Sequence, residues 1–122
     1  MKVNRKKIHL MFGGRCAYCG CWLKDESGKY MQIDHIKPIR RNYLKNNSLF
    51  PENDNEENLF PACPKCNNYK YSMNIEEFRN EIRRSNEKLK VYASFNNAVR
   101  FGMIEIKQWD GLFWFEKFGN PE

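Results

Sequence analysis

Hydrophobic and polar residues alternate with different periods along the first third of the chain. Over residues 3–12 the apolar positions recur at helical intervals, and Gly13–Gly14 ends that pattern. The next two apolar segments, CWL at 21–23 and KYMQIDHI at 29–36, are short and are separated by the polar turn KDESG. Segments of this length around a polar turn are typical of paired strands. The sequence therefore predicts a helix followed by a β-hairpin.

A polar segment separates this hairpin from the rest of the chain. Residues 40–57 are rich in asparagine and charged residues, which predicts a long loop. The segment NLF at 58–60 is expected to bring the chain back to the core. A helical turn is then expected to run from Cys66 to Lys70.

The carboxyl-terminal part is expected to be mainly helical. Asn74 and Glu77 have the spacing of a capping box, and the apolar face that follows them includes Leu89. Another helix is expected within residues 93–102. The aromatic tail GLFWFEKF at 111–118 predicts a strand, whose aromatic side chains we expect in the core rather than on a surface that stacks bases. The whole pattern predicts an α+β fold in a single domain.

Positive charge is concentrated in the first 50 residues, which carry 11 Lys and Arg against 3 Asp and Glu in a chain of net charge +6. Lys37, Arg40 and Arg41 follow closely after the pair Asp34–His35. A basic surplus of this kind suits a polyanion, so we expect these three side chains to contact nucleic acid. The alternative is a solvated, lysine-rich surface without a partner.

The sequence contains no pattern that predicts export or membrane insertion. Its longest apolar runs, such as LFWF at 112–115, are far shorter than the roughly 20 residues of a membrane span. The basic amino-terminal segment lacks the long apolar stretch of a signal peptide. We therefore expect a cytoplasmic protein without a membrane partner. In a reducing compartment, metal binding is a better explanation of the five cysteines than disulfides.

Two Cys-x-x-Cys pairs give the most specific signal in the chain. CAYC contains Cys16 and Cys19, and CPKC contains Cys63 and Cys66. Each two-residue spacer lets a tight turn direct two thiolates at one ion, and two such turns complete a tetrahedral zinc site. Four protein thiolates leave no position open for substrate, which indicates a structural role. Cys21 is expected to be a small buried residue and not a fifth ligand.

These motifs together resemble the HNH endonuclease family, whose core is the ββα-metal fold, also called the His-Me finger. The resemblance rests on CAYCG, IDHIKPI, NLFPACPKCN and the lysine of NNYK, which occur in the family's order. It covers about residues 12–71. It implies one nuclease domain over residues 1–122, with a carboxyl-terminal extension from about residue 74 that is similar to small phage and bacterial members. A bacterial or phage-infected cell is then the expected location.

The resemblance also implies a role for each residue of the motif. His35 corresponds to the general base that takes a proton from water, and Asn58 to the asparagine that pins the loop and holds the histidine ring. Asp34 and Asn67 correspond to ligands of one catalytic divalent cation. Lys70 corresponds to a lysine that contacts phosphate, and the alternative is a solvated side chain without a role.

Asn67 departs from the family pattern, because it occupies the position of the last histidine and makes this chain an HNN variant. An amide oxygen still binds a hard cation, which favours Mg²⁺ or Mn²⁺ over softer ions. The alternative is that Asn67 caps the short helix. A regular strand directs Asp34 and His35 to opposite faces, so a break at the strand end is needed for both to serve one site.

The sequence therefore predicts a metal-dependent endonuclease that hydrolyses DNA, by nicking or double-strand cleavage, with RNA not excluded as a substrate. The alternative is a catalytically silent, zinc-clamped module that only binds nucleic acid. Retention of the aspartate, the histidine and both asparagines favours the enzyme. A small interaction protein whose basic face meets an acidic protein is a third possibility without specific support. A homodimer or an accessory protein would be needed for high site specificity.

Overall fold

The computed structural model describes residues 3–39, 41–42 and 47–119 of the chain. These residues form short helices and short antiparallel strands, which confirms the α+β prediction. The helices are α1 (Arg5–Leu10), α2 (Pro64–Lys70), α3 (Ile75–Arg83), α4 (Ser85–Leu89), α5 (Ala93–Arg100) and α6 (Trp114–Lys117), and the strands are β1 (Gln32–His35), β2 (Arg41–Asn42), β3 (Asn47–Ser48) and β4 (Leu59–Ala62). No helix among the described residues is long and apolar enough to cross a bilayer.

Strand β1 pairs with β4 in an antiparallel register that sets Gln32 opposite Ala62 and His35 opposite Leu59. The predicted hairpin is therefore wrong in its partner, because residues 21–23 form only a bridge between Trp22 and Arg15. The reason is the turn at the first cysteine pair. It brings residues 21–23 back onto residues 14–16, whose backbone takes up their hydrogen bonds: Cys16 N–H donates to the Cys21 carbonyl and Leu23 N–H to the Gly14 carbonyl, each at 2.9 Å.

The loop between β1 and β4 contains the small β2–β3 pair and two 3₁₀ turns, Pro51–Asn53 and Glu56–Asn58. The long polar loop predicted at 40–57 is thus partly structured. The second turn leads directly into β4, so the end of this loop is fixed beside the end of β1. Helix α2 follows β4 immediately and packs against β1. This strand–strand–helix unit, with the turn that leads into β4, carries Asp34, His35, Asn58, Asn67 and Lys70, whereas Cys16 and Cys19 lie in the turn before β1.

An aromatic cluster joins the carboxyl-terminal tail to this unit. The rings of Tyr18, Phe78 and Phe113 lie with each pair of centroids 5.3 Å apart, and all three side chains are buried. The predicted strand at 111–118 is instead the short helix α6. Its first residues nevertheless bond to the backbone beside the first cysteine pair, because Phe115 N–H donates to the Ala17 carbonyl at 2.8 Å. Phe113 belongs to the core, as expected.

Helix α3 begins at the predicted capping box, in which Asn74 and Glu77 exchange hydrogen bonds with each other's backbone. The expected apolar face does not continue to Leu89, because helix α3 ends at Arg83 and the chain turns into α4, where Leu89 is 40% exposed. The guanidinium of Arg79 joins α3 to α6 through two bonds to Glu116, at 2.5 and 3.1 Å.

Candidate functional site

The four cysteines of the two Cys-x-x-Cys pairs lie together at the junction of the first turn and α2. Their sulfur atoms are all within 4.8 Å of one another, and the Sγ atoms of Cys19 and Cys63 are 3.8 Å apart. A tetrahedral zinc with bonds of about 2.3 Å separates its sulfur ligands by about 3.8 Å. The donor set and its spacing therefore fit zinc, as predicted.

Backbone groups orient these thiols. Cys63 caps the amino terminus of α2, where its sulfur accepts a hydrogen bond from Cys66 N–H at 3.4 Å, and the Cys16 sulfur accepts one from Tyr18 N–H at 3.4 Å. Hydrogen bonds with Cys16 and Cys66 lower the pKa of Cys19, and the hydrogen bonds of Cys66 with Cys16 and Cys19 raise the pKa of Cys66, so the thiols share protons within one cluster.

Cys21 lies outside the four-sulfur cluster, as predicted, but it is exposed and not buried. The expectation of a buried residue was wrong because the turn after Gly20 carries the chain away from the core. The backbone at Gly20 has a φ of +77°, and Cys21 follows it on the surface side of the turn.

Asp34 lies on the buried face of β1, with only 3% of its surface exposed. Its Oδ2 accepts hydrogen bonds from the Tyr18 hydroxyl and from the Lys70 ammonium, the latter at 3.0 Å. Burial raises the pKa of Asp34, and the positive charge of Lys70 opposes this shift. Burial also raises the pKa of Tyr18, with the Asp34 charge acting in the same direction, so the tyrosine remains a neutral donor to the carboxylate.

Lys70 is fully buried, which corrects the expectation that it contacts phosphate. Besides the bond to Asp34, its ammonium donates to the His35 carbonyl at 2.9 Å and to the Ile36 carbonyl at 3.4 Å. A lysine at the end of the short helix looks solvated in the sequence. The position is buried because α2 packs directly on β1. The ammonium finds its hydrogen-bond acceptors there, in the Asp34 carboxylate and the two carbonyls at the end of the strand.

His35 is the last residue of β1, so the strand ends where the predicted break was required. Its Nε2 lies 2.9 Å from Oδ1 of Asp54, a residue of the loop 19 positions further along. The two side chains are 24% and 46% exposed. Asp54 was missed from the sequence, because it lies in the polar run NDNEEN, where a single acid looks like any other loop residue.

Asn58 pins the loop at the end of β1. Its Oδ1 accepts from Lys37 N–H at 2.8 Å, and its Nδ2 donates to the Lys37 carbonyl at 2.8 Å and to the Asn53 carbonyl at 2.6 Å. The backbone adds another link, since Ile36 N–H donates to the Asn58 carbonyl at 2.9 Å. The first half of the expected role, fixing the loop, matches these contacts. The side chain that bonds the histidine ring is Asp54.

Asp34, His35 and Asn67 line one small cavity of about 120 Å³ between β1, α2 and the following loop. Asn67 Nδ2 donates to Gln32 Oε1 at 3.2 Å, which leaves the amide oxygen of Asn67 as the acceptor. A carboxylate and an amide oxygen are hard donors that suit Mg²⁺ or Mn²⁺, which keep several waters of their own. The residues at this cavity therefore fit the expected cation.

The predicted nucleic-acid contacts are described only in part. Lys37 is exposed at the end of β1, two residues from His35. Arg40 and the side chain of Arg41 lie outside the described residues, although the backbone of Arg41 belongs to β2.

Comparison with known proteins identifies relatives of this region. Residues 16–72 match the family model described as HNH endonuclease, which confirms the resemblance drawn from the motifs. A segment of 60 residues is 37% identical to the Septu protein PtuB of Bacillus thuringiensis. That alignment covers 49% of this chain but only 20% of the relative, so the chain spans about a fifth of that protein's length. No solved structure matches the chain significantly.

Proposed function

From the match of residues 16–72 to the HNH endonuclease family model, we propose that the chain is a member of that family and a metal-dependent endonuclease that hydrolyses phosphodiester bonds in DNA. The observation that carries the proposal is the cavity at the end of β1. The adjacent pair Asp34–His35 and the distant Asn67, 32 positions after His35, line it together. A module that only binds nucleic acid does not need a carboxylate, an imidazole and an amide around one cavity.

His35 is the proposed general base. Because an ionised carboxylate only accepts hydrogen bonds, the contact with Asp54 keeps the proton on Nε2 and leaves Nδ1 of the neutral ring basic. A neutral imidazole with one basic nitrogen is able to take a proton from an attacking water. Asn58 contributes by holding the two backbone segments that carry His35 and Asp54.

Asp34 and Asn67 are the proposed ligands of one Mg²⁺ or Mn²⁺. When bound, such a cation offsets charge on the phosphate and stabilises the departing oxygen. Lys70 and Tyr18 both bond to Oδ2 of Asp34, so the carboxylate is fixed in orientation and its negative charge is favoured against the effect of burial. We assign Lys70 this positioning role in place of a phosphate contact.

The four-cysteine site is proposed to hold one structural zinc. The site joins the turn that contains Cys16 and Cys19 to the start of α2, and α2 carries both Asn67 and Lys70. Loss of the metal would release the helix that lines the cavity. The zinc therefore supports the active site without contacting the substrate.

DNA as the substrate is supported by the basic surplus of the first 50 residues and by the exposed Lys37 close to His35. Arg40 and Arg41 are proposed to extend this contact. The carboxyl-terminal extension packs its aromatic residues into the same core, which supports one nuclease domain over the whole chain.

The proposal is tested by incubating the zinc-loaded protein with supercoiled plasmid. Chelators are avoided, because they would also remove the zinc; the divalent cation is instead omitted and then added back as Mg²⁺ or Mn²⁺. We expect cleavage only after addition, and a parallel RNA substrate determines whether the enzyme is restricted to DNA. Binding without cleavage of any substrate, with both cations supplied, would favour the silent binding module.

A further inference from the structure

One contact at the active site involves a residue outside the family motif. Asp54 Oδ1 lies 2.9 Å from Nε2 of His35, across a loop that separates them by 19 positions. The aspartate ends the first 3₁₀ turn of that loop, where its backbone N–H donates to the Pro51 carbonyl at 3.0 Å. This hydrogen-bonded turn therefore fixes the backbone that carries the Asp54 carboxylate.

Asn58 holds this turn in place. Its Nδ2 donates to the carbonyl of Asn53, the residue before Asp54, and its other bonds hold the backbone of Lys37, two residues after the histidine. The amide of Asn58 makes no contact with the ring itself among the described residues. Its influence on the histidine passes through the turn to the Asp54 carboxylate.

We propose that Asp54 is a positioning residue that holds the His35 imidazole in the tautomer with hydrogen on Nε2 and fixes the direction of its basic Nδ1. The inference rests on the proposed function, because it assigns a partner to the proposed general base. A carboxylate acceptor on one ring nitrogen is a common means of fixing tautomer and orientation of a working histidine.

The competing explanation is a surface ion pair without consequence. Both side chains are partly exposed, and such pairs contribute little to stability. The free energy of unfolding of an Asp54 variant therefore does not separate the two explanations. A positioning role predicts a loss of turnover while substrate affinity is kept, which a bystander pair would not produce. It also predicts that the tautomer balance of His35 depends on Asp54.

The kinetic experiment compares Asp54→Ala with a control, Glu52→Ala, in the zinc-loaded chain with Mg²⁺. Glu52 is an exposed acid in the same turn, so both variants remove one negative charge from the same loop. We expect Asp54→Ala to lower kcat by about 10–100-fold, by analogy with the loss of the outer hydrogen-bond partner of a metal-binding histidine. KM for DNA should stay equal or fall, because a negative charge has been removed. The control should keep the wild-type kcat.

The spectroscopic experiment records long-range ¹H–¹⁵N correlations of the imidazoles without divalent cation, at a pH at which both rings are neutral. The chain has only two histidines, and His9 is an internal reference because its Nε2 lies 2.8 Å from the Leu23 carbonyl. We expect the pure Nε2–H pattern for both rings in the wild type. In Asp54→Ala we expect His35 alone to change to an averaged pattern, in which the Nδ1–H form gains population.

A kcat of Asp54→Ala within about twofold of the wild type would overturn the inference. So would a tautomer balance of His35 that is unchanged by the substitution. If the wild type fails to cut any substrate, the proposed function fails, and the spectrum alone then decides whether Asp54 holds the ring.

Discussion

Replacing Lys70 with methionine should destabilise the chain more than any exposed lysine substitution. Methionine keeps the length of the side chain but removes the charge, which leaves the 3%-exposed carboxylate of Asp34 without its ion-pair partner. It also leaves the carbonyl of His35 without the lysine donor at 2.9 Å. Breaking a buried pair by removing one partner destabilises by about 3–5 kcal/mol. Since small domains unfold with about 5–15 kcal/mol, much of the total stability should be lost.

Urea unfolding of the zinc-loaded protein measures this effect. With a urea dependence of about 2 kcal/mol per molar, the midpoint should fall by about 1.5–2.5 M. The matched control is Lys37→Met, which removes an exposed lysine and should change stability by no more than about 0.5 kcal/mol. The double variant Asp34→Leu with Lys70→Met removes both charges and should recover part of the loss. A loss below about 1 kcal/mol for Lys70→Met would refute the account of a buried, paired lysine.

Three further outcomes are expected. Cys63→Ser should lose the zinc, together with on the order of 10 kcal/mol of binding free energy that supports folding. Cys21→Ser should keep the zinc. Elemental analysis of the two variants measures their zinc content. Burial opposes ionisation of Glu116, but hydrogen bonding to Arg79 lowers its pKa below the usual value. The stability advantage of wild type over Glu116→Gln should therefore be full near neutral pH and vanish as pH falls below about 4.3, the pKa of an unperturbed glutamate. Urea unfolding across that pH range measures this advantage. Lys37→Ala should weaken DNA binding and reduce the slope of log K against log salt by about one, and an unchanged slope would locate the binding face elsewhere.

The parts of the site that could be predicted are those with a chemical signature in the sequence. The two cysteine pairs and the Asp34–His35 pair require special spacing or unusual neighbours, and the structure brings them to the expected places. The capping box at Asn74 was predictable for the same reason, because a helix start depends on side chains only three positions apart.

The parts that were missed depend on long-range packing. Apolar alternation in β1 does not identify its partner, which is β4 and not residues 21–23. Nothing local distinguishes Lys70 from a solvated lysine, since its partners lie on a strand about 35 positions away. Asp54 gains its significance only from the turn that places it against His35.

The most direct test of the central claim is the single-turnover cleavage rate of His35→Ala against wild type, on plasmid DNA with saturating Mg²⁺ and zinc-loaded protein. The account predicts a rate lower by about 10²–10⁴-fold, the usual contribution of a general base, with DNA affinity unchanged. Cleavage by His35→Ala at the wild-type rate would contradict it and remove the histidine from the chemistry.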